Sequence, residues 1–94
     1  MLGHARCGAV AAALAGTKVP GHILSVVDAI MPSVVVAKGQ PGDPLDNAIR
    51  SNIRMTVDRL KGAGPILDER VKAGQLKVVG AIYSLDTGRV ELVS

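Results

Sequence analysis

Two residues near the start of the chain, His4 and Cys7, have side chains that could bind a metal ion. Imidazole and thiolate are both good zinc ligands. Alanine-rich sequence predicts a helix over 5–15 that stops at Gly16. A spacing of three residues at the start of this helix places both side chains on nearly the same side, and a helix N-terminus favours the thiolate form of cysteine. Gly8, which follows the cysteine, leaves the backbone beside the thiol open.

The pair alone does not define a metal site, because zinc takes four ligands and a catalytic site usually draws three of them from protein. The alternative interpretation of His4 and Cys7 is a buried small thiol beside a helix-capping histidine. The other histidine, His22, is predicted to lie at the surface in the first turn of a helix. Since the sequence contains one cysteine, it can form no internal disulfide.

The composition is that of a globular domain: 94 residues, 48% hydrophobic and 20% charged. A net charge of +3 is well short of a nucleic-acid signature. Tyr83 is the sole aromatic residue, which argues against binding by base stacking. No apolar stretch is long enough for a membrane helix, and the N-terminus is a poor match to a secretory signal. We therefore expect a soluble cytoplasmic protein with no nucleic-acid or membrane partner.

Helical patterns dominate the chain and a strand pattern ends it. Helices are predicted over 5–15, over 22–31 with Pro32 as its end, from the Asp43 cap to Gly62, and from Pro65 to Gly74. A strand is predicted over 76–83, followed by a turn over 85–88 and a returning strand over 89–93. Residues 34–36 have strand propensity but remain unassigned.

The charged residues of the third predicted helix have a structural interpretation. Its four basic residues are Arg50, Arg54, Arg59 and Lys61. They could suggest an anion-binding surface, but a helix face exposed to solvent is the better account. Asp43 and Asp46 are predicted to cap the helix rather than to form a catalytic carboxylate pair.

The middle of the predicted strand, 78–82, is apolar on both faces. Such a strand lies inside a sheet and is covered on both sides. The C-terminal hairpin supplies one neighbour, and a strand ending within 1–3 could supply another. The sequence therefore predicts a sheet of which part is missing.

Three segments resemble β-class carbonic anhydrases, and together they span essentially the whole chain. Residues 2–10, LGHARCGAV, resemble the family's second zinc motif, Gly-His-x-x-Cys-Gly-Ala, which leaves a strand and opens a helix. Residues 48–53, AIRSNI, are similar to its Asn-Val segment on a long helix. Residues 74–90, GQLKVVGAIYSLDTGRV, resemble its C-terminal ending.

The resemblance implies an α/β fold with helices packed on a mostly parallel sheet that lacks its N-terminal strands. Residues 1–94 would form a single partial domain, the C-terminal portion of the family's domain. It implies that His4 and Cys7 bind zinc together with an upstream cysteine, and that Gly8 lies at the substrate site. Tyr83 matches a tyrosine that contributes to a bicarbonate pocket in some members. The implied reaction is the reversible hydration of carbon dioxide to bicarbonate, for which zinc lowers the pKa of bound water toward about 7.

One family motif has no counterpart in this sequence. The first motif, Cys-x-Asp-x-Arg, supplies the third ligand and an Asp–Arg pair that orients the reacting water, and Cys7 is the sole cysteine here. The chain would then be a truncated product, a split subunit or a fragment, acting as a homo-oligomer or with a complementing N-terminal half. The alternative is a non-catalytic remnant or interaction module that associates through an exposed sheet edge.

Overall fold

The computed structural model describes residues 1–16 and 18–93. In chain order the elements are β1 (Leu2–His4), α1 (Gly8–Ala15), α2 (Ile23–Ala37), α3 (Pro44–Lys61), α4 (Ile66–Lys72), β2 (Gly80–Tyr83) and β3 (Val90–Val93). The strands form one sheet in the order β1-β2-β3. β2 pairs parallel with β1 and antiparallel with β3. The fold is α/β with a mixed sheet, and the predicted C-terminal hairpin is confirmed.

α3 is the central helix, in contact with all three strands on one side and with α1 and α2 on another. It begins and ends as the sequence predicts. The Asp43 carboxylate accepts a hydrogen bond from the backbone N–H of Asp46 at 3.1 Å, Pro44 occupies the first turn, and Gly62 follows the last helical residue. Four apolar residues of α3 are buried, namely Ala48, Ile49, Ile53 and Val57, and Ile53 is only 1% exposed.

Two glycines allow α3 to lie close to the sheet. A Cβ atom added at Gly80 would lie 2.5 Å from Ile53 Cγ2, and one added at Gly3 would lie 2.6 Å from Ile53 Cδ1. Both distances are far shorter than an ordinary carbon–carbon contact of about 3.5 Å. The absence of side chains at these two positions therefore sets the distance between α3 and strands β1 and β2.

α2 is longer than predicted, and the prediction that the helix covers 22–31 and ends at Pro32 is wrong. The helix runs over Ile23–Ala37 with Pro32 inside it. Proline in a helix interior costs about 3 kcal/mol because it lacks an N–H group and clashes with the preceding turn. Beyond the proline, Val34 is buried in the core and Ser33 is buried as well. Burial of a valine side chain contributes about 1.5–3 kcal/mol, so packing of the last turns offsets much of the proline penalty.

Two other element boundaries differ from prediction. The first helix begins at Gly8 rather than at residue 5, because the residues before it continue into β1, the strand expected at the start of the chain. The strand predicted over 76–83 is confined to Gly80–Tyr83. β2 is shorter because pairing with β1 and β3 is confined to residues within Gly80–Tyr83.

The two faces of the sheet have different surroundings. Alternation and strand register place six residues on the face away from α3, which we term the open face: Leu2, His4, Ala81, Tyr83, Val90 and Leu92. Leu2 is 60% exposed and Leu92 is 72% exposed. Among residues 1–16 and 18–93, α3 is the single helix in contact with the strands. Helices therefore cover one face of β2, whereas the sequence predicts cover on both.

No helix in the described ranges combines the length and apolar character needed to cross a membrane.

Candidate metal centre

His4 and Cys7 lie on either side of a short turn between β1 and α1. His4 is the last residue of β1 and is exposed, whereas Cys7 is the N-cap residue of α1 and is half-buried. The prediction that both lie on the first helical turn is wrong, because the helix begins only at Gly8. A strand–turn–helix junction brings them together instead. Atoms of both residues contribute to the lining of one pocket of about 160 Å³ beside α3, whose other walls include Val10 and Ile49, while the strand register places His4 on the open face.

The turn depends on the backbone of Arg6. The N–H of Ala5 donates to the carbonyl oxygen of Tyr83 at 2.8 Å, so the chain follows β2 up to that residue. Arg6 then has a φ of +57°, and no other non-glycine residue in the described ranges has a positive φ. The carbonyl of Cys7 accepts the first α1 hydrogen bond, from the N–H of Ala11 at 3.0 Å. One left-handed residue therefore separates the strand from the helix, and Cys7 follows it directly as the N-cap of α1.

Gly8 and Tyr83 both lie near the pair. A Cβ atom at Gly8 would meet no atom within 4 Å, so the backbone beside Cys7 is open, as the sequence indicates. Tyr83 is the β2 partner of His4 in the parallel ladder, which places the two residues side by side on the open face. The Tyr83 side chain is half-buried.

The described part of the chain supplies two metal donors at this junction and not three. Within it, no group of three or more His, Cys, Asp or Glu side chains could hold a metal ion. His22 precedes α2, is exposed, and lies outside the pocket that His4 and Cys7 line, as its predicted surface position requires.

Arg50 does not belong to a solvated helix face, which corrects that part of the sequence interpretation. Its side chain is 26% exposed, and its Nε donates to Asp46 Oδ2 at 2.8 Å. A longer ion pair of 3.4 Å joins it to Glu91 on β3. The hydrogen bond to Asp46, followed by that to Glu91, raises the pKa of Arg50 above its ordinary value. These ion pairs are structural. The Asp46 contact joins residues four apart on one helix and has a local signal, whereas the Glu91 contact has none because it joins residues 41 apart.

Three other basic residues of α3 and the Asp43 cap agree with their predictions, whereas the prediction that Asp46 caps the helix is wrong, because its carboxylate accepts from Arg50 instead. Arg54, Arg59 and Lys61 are exposed. Asp43 caps the helix and Asp46 pairs with Arg50, so the two aspartates do not form a catalytic pair.

The family model for carbonic anhydrase matches residues 1–90 of the chain. The chain belongs to the carbonic anhydrase family. Carbonic anhydrase 2 of Mycobacterium tuberculosis is 36% identical over 96 residues, which cover 98% of this chain and 46% of that protein. Carbonic anhydrase of Mycolicibacterium smegmatis is 32% identical over 98 residues, which cover 100% of this chain and 48% of that protein. The chain therefore spans about half the length of the curated relatives it matches.

Solved β-carbonic anhydrases share the fold of this chain. One of two tetrameric enzymes from Sordaria macrospora superposes with a TM-score of 0.82 at 18% identity, over 99% of this chain and 50% of that one. The β-carbonic anhydrase CcaA superposes with a TM-score of 0.76 at 24% identity, over 99% of this chain and 48% of that one. Together with the family match over residues 1–90, this shared fold confirms the resemblance of the sequence to β-class carbonic anhydrases.

Proposed function

We propose that this chain carries part of the zinc site of a β-class carbonic anhydrase, with His4 and Cys7 as two of the ligands. The observation that supports this is the pocket between β1 and α1, which an imidazole-bearing and a thiol-bearing residue line together. Both donor types suit zinc. A catalytic zinc site usually has three protein ligands, so a third donor would come from outside the described residues.

The reaction we propose is the reversible hydration of carbon dioxide to bicarbonate. When bound, zinc supplies Lewis-acid chemistry that makes water a nucleophile near neutral pH. His4 and Cys7 would hold the ion. Gly8 leaves room beside the thiol for a small substrate, since no atom would contact a Cβ there.

We propose that residues outside 1–94, in a longer form of the same protein or in another polypeptide, complete the site. Residues 1–94 would then act in the cytoplasm as one partial domain, in a homo-oligomer or with a complementing N-terminal half. The solved Sordaria macrospora relatives are described as tetrameric, which supports an assembly. The exposed apolar residues of the open face also support one, because large exposed apolar patches mark interaction surfaces.

Zinc titration of the purified chain and three variants tests the proposal. His4→Ala and Cys7→Ser each remove one donor and are expected to weaken zinc binding by at least about tenfold, since loss of even an outer-shell partner costs roughly 10–100-fold. The matched control is His22→Ala, which removes an exposed histidine away from the pocket and is expected to leave zinc binding unchanged. Equal zinc binding in the wild type and in His4→Ala would contradict the proposal.

Carbon dioxide hydration is measured on the same proteins by stopped flow with a pH indicator. Any zinc-dependent rate is expected to be lost in His4→Ala and retained in His22→Ala. A rate that survives His4→Ala would show that the site lies elsewhere.

A non-catalytic interaction module is the second candidate function, and the open face favours it. Leu92 is among the most exposed large apolar residues, and β1 has no strand on its outer side within the described ranges. Both features promote association. Leu92→Lys is expected to reduce concentration-dependent association in sedimentation velocity, whereas Ile66→Lys on α4, where the residue is comparably exposed, is the control. Association without zinc uptake or a hydration rate would favour this function over catalysis.

A further inference from the structure

The residue that makes the turn between His4 and Cys7 is poorly suited to its backbone conformation. Arg6 has a φ of +57°. In this region the Cβ atom of an L residue lies too close to the backbone, and glycine adopts it without that penalty. An arginine persists in such a conformation only where surrounding structure holds it. The Arg6 backbone conformation therefore depends on interactions with the surrounding structure.

The Arg6 side chain is bound to the opposite end of the chain. Its guanidinium donates to Asp86 Oδ1 at 2.6 Å, across a sequence separation of 80 residues. Asp86 lies in the turn between β2 and β3. Two backbone hydrogen bonds close that turn, from Ser84 N–H to Arg89 O and from Gly88 N–H to Ser84 O, each 2.9 Å long. These bonds hold the backbone of the turn that carries Asp86, whose side chain is itself 69% exposed.

We propose that Arg6, held by Asp86, is a positioning residue that fixes the Cys7 thiol relative to His4; this inference rests on the proposed zinc site. The ladder bond from Ala5 N–H to Tyr83 O fixes the strand side of the turn, and the first helical bond to Cys7 O fixes the other side. Arg6 is the single residue between them. A change in its backbone torsions would move the thiol away from the end of β1, and loss of the ion pair permits that change.

Two variants separate positioning from a simple contribution to stability. Asp86→Asn removes the charge that pairs with Arg6 and is expected to weaken zinc binding by roughly 2–5-fold, the range of an exposed ion pair. Arg6→Gly removes the guanidinium but relieves the backbone strain. It is therefore expected to weaken zinc binding by a similar factor without lowering the unfolding midpoint of the metal-free protein. If zinc affinity and that midpoint fell together in Arg6→Gly, the role would be purely structural and the inference would be overturned.

Cobalt provides a spectroscopic readout of the same geometry. The thiolate-to-cobalt charge-transfer band of the Co²⁺-loaded protein is expected to weaken in Asp86→Asn and in Arg6→Gly, because fewer molecules hold the thiol against the ion. The double variant is expected to bind cobalt like either single variant, because both substitutions remove the same ion pair between Arg6 and Asp86. Additive losses in the double variant would show that the two side chains act independently, against the inference.

Asp68→Asn is the matched control. It removes another exposed ion pair, to Lys72 Nζ at 3.0 Å on α4, and is expected to leave zinc binding unchanged. Wild-type protein that takes up no zinc, either alone or together with an N-terminal half that carries the Cys-x-Asp-x-Arg motif, would overturn the proposed function and this role with it. If His4→Ala abolishes zinc uptake but Asp86→Asn and Arg6→Gly leave it unchanged, the positioning role alone would be overturned.

Discussion

Replacement of Gly80 by alanine is expected to destabilise the protein by forcing α3 away from the sheet. Gly80 lies in the central strand β2 and has no positive φ, so alanine can adopt its backbone. The added Cβ would lie 2.5 Å from Ile53 Cγ2 and 3.1 Å from Val57 Cγ2. Ordinary contact begins near 3.4 Å, so the shorter distance is about 0.9 Å too close. The perturbation is therefore a steric overlap between β2 and α3.

The expected magnitude follows from two opposing contributions. Overpacking of a well-packed core costs about 1–3 kcal/mol. Alanine also restricts the unfolded chain relative to glycine, which stabilises the protein by about 0.4–1 kcal/mol. Ile53 is buried against the sheet and cannot move into solvent, which favours the upper part of the steric cost. We expect a net loss of about 1–2 kcal/mol, or a fall of roughly 5–15 °C in the unfolding midpoint.

Thermal unfolding followed by circular dichroism at fixed protein concentration measures this loss. Gly8→Ala is the matched control, because a Cβ there meets no atom within 4 Å and the residue opens α1. The same substitution should therefore raise stability by about 0.5–1 kcal/mol at this position. Ile53→Leu removes the Cγ2 atom, so Gly80→Ala should cost less in that background. An unchanged midpoint for Gly80→Ala, with Gly8→Ala raised, would refute the steric reasoning.

Three other substitutions test the caps and pairs of the fold, each by the same unfolding measurement. Asp43→Ala is expected to cost about 1 kcal/mol because the backbone N–H of Asp46 loses its acceptor, and Asp43→Ser should retain most of the stability. Pro32→Ala is expected to stabilise the protein by about 2 kcal/mol, since it restores a helical hydrogen bond; a lower midpoint would contradict a helix continuing past residue 32. Glu91→Gln breaks the exposed pair with Arg50 and is expected to cost at most about 0.5 kcal/mol, a difference that should vanish near 1 M salt.

The ends of α3 could be predicted because local residues determine them. Asp43, Pro44 and Gly62 each act on backbone groups within one turn, so the sequence pattern contains the whole cause. The end of α2 could not be predicted in this way. Pro32 is a local stop signal, but Val34 beyond it packs into the core, and that contribution depends on α3 being present.

The sheet was predictable in outline from one segment. The apolar run 78–82 requires two strand neighbours, and the structure supplies them as β1 and β3. The extent of pairing was not predictable, because it depends on how many residues the neighbouring strands offer. The same run predicts cover on both faces, whereas the open face has no helix against it in the described ranges. Leu2 and Leu92 are therefore exposed on a face that the sequence pattern predicts to be covered.

The donors of the candidate site were predictable by type, but their arrangement was not. Three-residue spacing suggests His4 and Cys7 on one helical turn, yet the structure places a left-handed residue between them. Glycine or asparagine at that position would have indicated such a turn, whereas Arg6 gives no such signal. Its conformation is supported by an ion pair to a hairpin 80 residues away. If that pair does position the thiol, a change at Asp86 would weaken metal binding although the motif itself is intact, which motif spacing alone would never predict.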